Sequence, residues 1–242
     1  MSVQDEINLF CGYFQGQITA IQLLSLKEDQ ELDRTQNQLR FYKKVLLATA
    51  VDTLAGIRFP KQRYPQLYRK NQERFVHFLK ESGCWADGCY VSIPFLAEHL
   101  SGGKIAKGKL REFIEKKMTT AHTKGKFSLK FSDIDEPIER VLALATNEQE
   151  ESVIIENQHY ELMYRYRNYL VHESREPGTT MEISEHAKEP YYHGYLGEKK
   201  LYLAYPMGLF LSIVEQSVAY LKSYLEKHNL NPYDFVEETS RW

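Results

Sequence analysis

Helical periodicity over three long stretches constrains the fold of this chain more than any other feature of the sequence. Ser25 and Glu28 form a capping-box start, and apolar residues then recur at helical spacing as far as Ile57. Two further apolar stripes follow over residues 148–174 and 207–227, and Asn147 is the predicted N-cap of the first. Helices of this length are stable when their apolar faces pack against one another. We therefore predict an all-α helical bundle.

Shorter elements are expected between these stripes. Further helices are predicted over residues 3–24, 66–80, 93–100, 106–119 and 137–145. Residues 124–131 alternate weakly, as an exposed strand would, and residues 180–205 predict a β-hairpin that turns at Gly197 and Glu198. We predict one domain over residues 1–242, in which the mostly helical segment 84–146 and the small hairpin 180–205 are additions to the bundle.

Charge and cysteine content exclude several classes of protein. The 31 Lys and Arg residues nearly balance the 33 Asp and Glu residues, so any surface that attracts nucleic acid must be local. No apolar stretch is long enough to span a bilayer, and acidic residues stand at the start where a signal peptide needs basic ones. Three cysteines without a Cys-x-x-Cys pair argue against a disulfide framework or a structural zinc site. We expect a cytoplasmic protein with reduced thiols and no membrane contact.

The helix predicted over residues 148–174 carries the strongest candidate for chemistry. Arg167 lies on its apolar face beside Tyr164 and Val171, where an unpaired charge is unfavourable. An arginine in such a place needs an acidic partner, a phosphate, or an interface that supplies one. The neighbouring face is polar and is formed by Glu161, Arg165, Asn168 and His172.

Arg167 and His172 are about 140° apart around an ideal helix. Their side chains can converge through the reach of the arginine, through unwinding of the last helical turn, or through a symmetry mate. We therefore expect a homodimer in which two copies of the motif meet.

The segment Arg167-Asn168-x-x-x-His172, late in a helix of an all-α bundle, resembles the Arg-x4-6-His motif of the HEPN superfamily. HEPN ribonucleases form one metal-independent site from two protomers. The resemblance implies that His172 acts on the ribose 2'-hydroxyl or on the leaving oxygen, that Arg167 holds the scissile phosphate, and that Asn168 orients either of them. It also implies RNA cleavage to a 2',3'-cyclic phosphate and a 5'-hydroxyl, with no cofactor and no metal ligand.

Asp52 is a further candidate for the catalytic site. It lies on a stripe of small apolar residues in the helix that ends near Ile57, and HEPN members often carry an acid in a core helix near the motif. Asp52 can pair with Arg167 or His172, or it can form an ordinary buried salt bridge. Some toxin members of the superfamily have a tyrosine two positions after the histidine, where this chain has Ser174. Control by modification of that tyrosine is therefore not expected here.

Two tracts concentrate the positive charge. Residues 104–130 contain nine basic and two acidic residues, and residues 58–74 contain six basic residues, one acidic residue and several aromatic ones. Such tracts are typical of phosphate-backbone binding, although a solvated lysine-rich helix has the same composition. The residues predicted to bind RNA are Lys104, Lys107, Lys109, Arg111, Lys116, Lys117 and Arg165.

These observations predict a dimeric, metal-independent HEPN endoribonuclease whose partner is RNA. It would act in RNA processing, as a toxin or in antiviral defence, with a protein inhibitor or defence-system protein as a further partner. The alternative is a non-catalytic HEPN-like module that binds RNA, a nucleotide or a protein. A third hypothesis is a helix-turn-helix over residues 93–119 that reads DNA.

Overall fold

The computed structural model describes residues 1–25, 32–123, 128–177, 182, 186–195, 198 and 200–235. The predicted all-α class is confirmed, because helices dominate this part of the chain and its strands are short. The chain forms two compact units. The first unit comprises Met1–Trp85, Arg167–Arg175 and Phe210–Trp242. The second unit comprises Ala86–Tyr166 and Glu176–Leu209, and so contains the predicted hairpin and nearly all of the predicted insertion.

Nine α-helices are present in the described residues. They are α1 (Val3–Leu23), α2 (Leu32–Arg58), α3 (Asn71–Ser82), α4 (Ile93–Ser101), α5 (Lys109–Thr123), α6 (Ile138–Leu142), α7 (Glu148–Glu156), α8 (His159–His172) and α9 (Met207–His228). Short 3-10 turns occur at Pro65–Leu67, Ala86–Cys89, Phe131–Asp133 and Pro232–Phe235. Among the described helices, none combines the length and the apolar character needed to cross a bilayer.

Local sequence explains where several helices begin and end. Ser2 and Asp5 cap α1 through two reciprocal hydrogen bonds. The Ser2 side chain accepts from the Asp5 backbone amide, and the Asp5 carboxylate accepts from the Ser2 backbone amide. Asn147 caps α7 as predicted, because its side chain accepts from the Glu150 amide at 3.0 Å. Gly83 follows α3 with φ +60°, a left-handed conformation that glycine adopts at little cost. The predicted capping pair at the start of α2 includes Glu28, which lies outside the described residues.

The prediction of one helix over residues 148–174 was wrong. The helix is interrupted at Asn157 and Gln158, which separate α7 from α8. The buried Asn157 side chain donates to the Val153 carbonyl at 2.7 Å, while the Asn157 carbonyl accepts from the Ser92 amide at 2.9 Å. A continuous helix would bond the Asn157 carbonyl internally. Here that carbonyl is bonded to a distant segment instead, and the helix stops there.

The predicted hairpin is present and belongs to a three-stranded sheet. β4 (Tyr191–His193) pairs antiparallel with β5 (Tyr202–Ala204) on one side and with β2 (Ser128–Lys130) on the other. β2 lies within the weakly alternating segment, of which residues 124–127 fall outside the described part. Gly197, predicted at the hairpin turn, also falls outside it. A second, two-stranded sheet joins β1 (Tyr90–Val91) to β3 (Glu136–Pro137).

A buried polar network fixes the start of α8 within the second unit. His159 places its Nε2 atom 2.8 Å from Oδ2 of Asp135 and its Nδ1 atom 2.9 Å from the hydroxyl of Tyr205. The Tyr192 hydroxyl donates to the same carboxylate at 2.7 Å, and the Ile93 amide donates to its second oxygen at 3.0 Å. Burial raises the pKa of Asp135, and the hydrogen bond and charge interaction with His159 oppose that shift.

Candidate functional site

Arg167 and Asp52 form an ion pair in the first unit. Asp52 lies on α2, and Arg167 lies in the last part of α8. The Nε and Nη2 atoms of the guanidinium both donate to Oδ2 of the carboxylate. The Arg167 side chain is only 11% exposed. Because a charge so far from solvent is unfavourable when unpaired, it needs the acid opposite it. Of the two partners considered for Asp52, the structure therefore brings Arg167 into direct contact.

Arg167 also contacts both remaining residues of the motif. Its Nη1 atom donates to Oδ1 of Asn168 at 2.9 Å and lies 2.8 Å from Nε2 of His172. A guanidinium has only donors, so we assign Nε2 as the acceptor and place the imidazole proton on Nδ1. The arginine side chain is long enough to cross the angle between positions 167 and 172 on the helix, so the two side chains meet within a single chain. A second copy is not needed to bring these two side chains together, and the homodimer stays a prediction.

The cluster runs from a half-buried end to an exposed one. Asp52, Arg167 and Asn168 are half-buried, whereas His172 is exposed at the last position of α8. Ser174 follows with φ +51°, so the chain turns sharply away after the helix. A solvent molecule or a ligand can therefore reach the imidazole, while the guanidinium is held from behind by the carboxylate.

Burial and nearby cations have opposite effects on Asp52. Burial raises the pKa of its carboxyl group, while Arg167, Arg74 and His172 oppose that rise. Arg74 lies on α3 and bonds through Nη2 to Oδ1 of Asn71 at 3.0 Å. Sequence reasoning counted Arg74 within a basic tract but did not assign it to the site.

A cleft of about 360 Å³ opens beside Asp52 in the first unit. Apolar residues and two cations, Lys61 and Arg74, contribute to its lining. Its lining residues are Asp52, Thr53, Gly56, Ile57, Phe59, Pro60, Lys61, Tyr68, Arg74 and Phe235. Sequence reasoning missed this cleft, because it is assembled from α2, the following loop, α3 and the 3-10 turn at Pro232–Phe235. The mixture of aromatic and basic residues in the tract 58–74 was the available signal.

The residues predicted to bind RNA, which are those of the tract 104–130 and Arg165, fall into two groups. Lys104, Lys107, Lys109 and Lys116 are exposed. Arg111 instead pairs with Glu115 at 2.9 Å, and Lys117 pairs with the buried Glu136, which also accepts from Arg140 at 2.8 Å. Arg165 donates to the Glu156 carbonyl and thus to the end of α7. The charges of Arg111, Lys117 and Arg165 are therefore engaged within the protein.

Arg58, counted in the other basic tract, serves the packing of the first unit. It is 6% exposed and forms an ion pair with Glu81, to which Nε donates at 3.1 Å. Its guanidinium carbon lies 3.9 Å from the ring centroid of Tyr224 and 4.6 Å from that of Phe59. The composition of the tract therefore overstated the charge that a phosphate backbone can reach.

The two helices considered for DNA reading are α4 and α5. Residues 102–108 connect them, which is longer than the 3–4-residue turn typical of a helix-turn-helix. Among the described residues, no group of three or more His, Cys, Asp or Glu side chains is arranged to hold a metal ion.

Comparisons with known proteins give no relative for this chain. No family model, no curated protein and no solved structure matches it. The site must therefore be interpreted from its own geometry.

Proposed function

We propose that this protein is an endoribonuclease that cleaves RNA through the 2'-hydroxyl without a metal ion, with Arg167 and His172 as its working pair. The observation that carries the proposal is the 2.8 Å contact between Nη1 of Arg167 and Nε2 of His172, with Asp52 behind the arginine. A guanidinium and an accessible imidazole are the groups that this reaction needs, because RNA brings its own nucleophile.

The chemistry assigns one task to each group. The 2'-oxygen attacks phosphorus, its proton passes to a base, and the bond to the 5'-oxygen breaks as that oxygen takes up a proton. An imidazole with an unprotonated Nε2 accepts the first proton, and an imidazolium supplies the second. Arg167 neutralises the charge that develops on the phosphoryl oxygens. When RNA binds, a phosphate oxygen replaces Nε2 as the acceptor for Nη1, which releases Nε2 to the hydroxyl.

Asp52 and Asn168 act through Arg167. The carboxylate fixes one edge of the guanidinium, and the Asn168 amide oxygen fixes Nη1. Such support reduces the number of arginine rotamers and keeps the charge near the position of the phosphate. We infer that both are positioning residues.

The test uses single-stranded RNA with the purified full chain and excess chelator. Wild type should cut it and leave a 2',3'-cyclic phosphate and a 5'-hydroxyl, and a 2'-deoxy substitution at the cut site should stop the reaction. His172→Ala should lower the rate by about 10²–10⁴-fold. His228→Ala is a matched control, because His228 is likewise exposed at the last position of a helix. Cleavage that survives His172→Ala would refute the assignment.

A non-catalytic RNA-binding module is the second candidate function. Two observations favour it: Lys104, Lys107, Lys109 and Lys116 are exposed, and the Arg167 guanidinium contacts Asp52, Asn168 and His172 at once. Such an arginine can be purely structural. This candidate predicts that wild type retains RNA without processing it, and that His172→Ala leaves binding unchanged. Assembly into a homodimer, an inhibitory protein partner and a role as a toxin or in antiviral defence belong to the first proposal and need separate tests.

A further inference from the structure

We propose that the cleft beside Asp52 binds one unpaired RNA nucleotide next to the phosphate that Arg167 engages, an inference that rests on the proposed function. Its volume of about 360 Å³ is at the low end of the range for small-ligand pockets. That size suits a single nucleotide rather than a duplex. Single-stranded RNA presents such nucleotides, since its bases can turn outward from the strand.

The apolar residues of the lining suit a nucleobase. Ile57, Phe59 and Pro60 are buried and line the cleft, so they offer apolar contacts for a base. Asp52 and Thr53 also line the cleft and can bond to the edge of a base or to a ribose hydroxyl. An apolar lining with a few directed polar groups is the usual composition of a small-ligand site.

The two cations of the lining suit a phosphate. Lys61 is exposed, with its Nζ atom 4.3 Å from the ring centroid of Tyr68, and Arg74 lines the cleft beside Asp52. The Asp52 charge is already matched by Arg167, so it opposes an anion less than an unpaired carboxylate would. Because the whole chain has a net charge of −2, these cations are a local feature and do not reflect a generally basic surface.

Asp52 connects the cleft to the motif. One carboxylate lines the cleft and also holds Arg167, whose Nη1 atom contacts His172. A nucleotide in the cleft therefore lies beside the carboxylate that holds Arg167. The phosphate next to that nucleotide is the one assigned to the Arg167 guanidinium.

Gly56 keeps part of the cleft open. It lies within α2, where glycine is less favourable than alanine, and it lines the cleft. A Cβ atom added there would meet no heavy atom within 4 Å. A longer side chain at this position would consequently occupy cleft volume without altering any charge.

The experiment measures binding of a fluorescent 2'-O-methyl pentanucleotide, which cannot be cleaved, by anisotropy. Gly56→Leu should weaken binding at least tenfold, whereas Gly56→Ala should stay within about twofold of wild type. Gly16→Leu makes the same change at an exposed glycine of α1, where an added Cβ also meets nothing within 4 Å, and should bind like wild type.

A second comparison remains available if Gly56→Leu does not fold. Wild type should bind uridine 5'-monophosphate at least tenfold more tightly than uridine, and Lys61→Ala combined with Arg74→Ala should abolish that preference. Retention of the preference in this variant, or unchanged pentanucleotide binding by a folded Gly56→Leu, would overturn the inference.

The proposed function is tested independently of the cleft. If His172→Ala stops cleavage while Gly56→Leu binds and cuts like wild type, the nuclease assignment stands and the cleft inference fails. If Gly56→Leu loses binding but wild type never cleaves RNA, the nucleotide site stands and the protein is a binding module.

Discussion

The Nη1 atom of Arg167 lies 2.8 Å from Nε2 of His172, although the two residues are about 140° apart around an ideal helix. The long arginine side chain crosses this angle while Asp52 holds its opposite edge. The motif is thus assembled within one chain and anchored to a second helix, α2. This anchoring makes the arginine's position sensitive to a residue 115 positions away in the sequence.

Replacing the anchoring carboxylate should separate turnover from binding. Asp52→Asn leaves a largely buried guanidinium without its charged partner, so we expect a loss of about 1.5–3 kcal/mol in the free energy of unfolding. The loosened guanidinium should lower kcat about 10–100-fold. KM for RNA should not rise, because the change removes a negative charge from the site that we propose for the RNA phosphate. Urea unfolding and steady-state kinetics measure these effects, and an increased KM at unchanged kcat would contradict the positioning role.

Two adjacent lysines on α5 should respond differently to charge reversal. Lys116 is exposed, whereas Lys117 pairs with the buried Glu136. Lys116→Glu should weaken RNA binding and lower the salt dependence of the affinity, with little effect on stability. Lys117→Glu should mainly destabilise the protein, because it places two carboxylates together. Anisotropy at several salt concentrations and thermal melting distinguish the two, and equal effects on both readouts would argue against this division.

The buried network around His159 should contribute strongly to stability. His159→Ala leaves a cavity and deprives the fully buried Asp135 of a hydrogen-bond partner, so we expect a loss of about 3–5 kcal/mol in the free energy of unfolding. Chemical denaturation measures this quantity. His122→Ala is a suitable control, because His122 is exposed near the end of α5 and should change stability by less than about 1 kcal/mol. A similar small change for His159→Ala would show that the network is dispensable.

Sequence patterns predicted those features that depend on nearby residues. The Asn147 cap and the helices α2 and α9 follow from local spacing, and the need for an acid near Arg167 follows from an arginine on an apolar face. The break at Asn157 could not be predicted, because it depends on the Ser92 amide, 65 positions earlier, which bonds to the Asn157 carbonyl. Tertiary contacts of this kind override a continuous helical pattern.

The same limit applies to the candidate site. Composition located the basic tracts, but it could not tell that Arg58 is buried against Glu81 or that Lys117 meets Glu136. The pairing of His159 with Asp135 has no short motif, since the two residues lie 24 positions apart. Lists of charged residues therefore identify candidates, and only the three-dimensional partners decide which charges remain available to a ligand.

The thiol of Cys11 should be almost unreactive in the folded protein at pH 8. Burial raises its pKa from 9.0 to about 11, while Lys222 has a smaller lowering effect and Glu226 a smaller raising effect. The folded-state pKa lies above the unfolded value, so the neutral thiol contributes stability below pH 9, and this contribution is lost as the pH rises through 11. A rise of two pKa units lowers the thiolate fraction at pH 8 roughly a hundredfold. Iodoacetamide labelling read by peptide mass spectrometry should be at least a hundredfold slower at Cys11 in buffer than in urea. Similar rates in the two conditions would mean that α1 does not keep this residue buried.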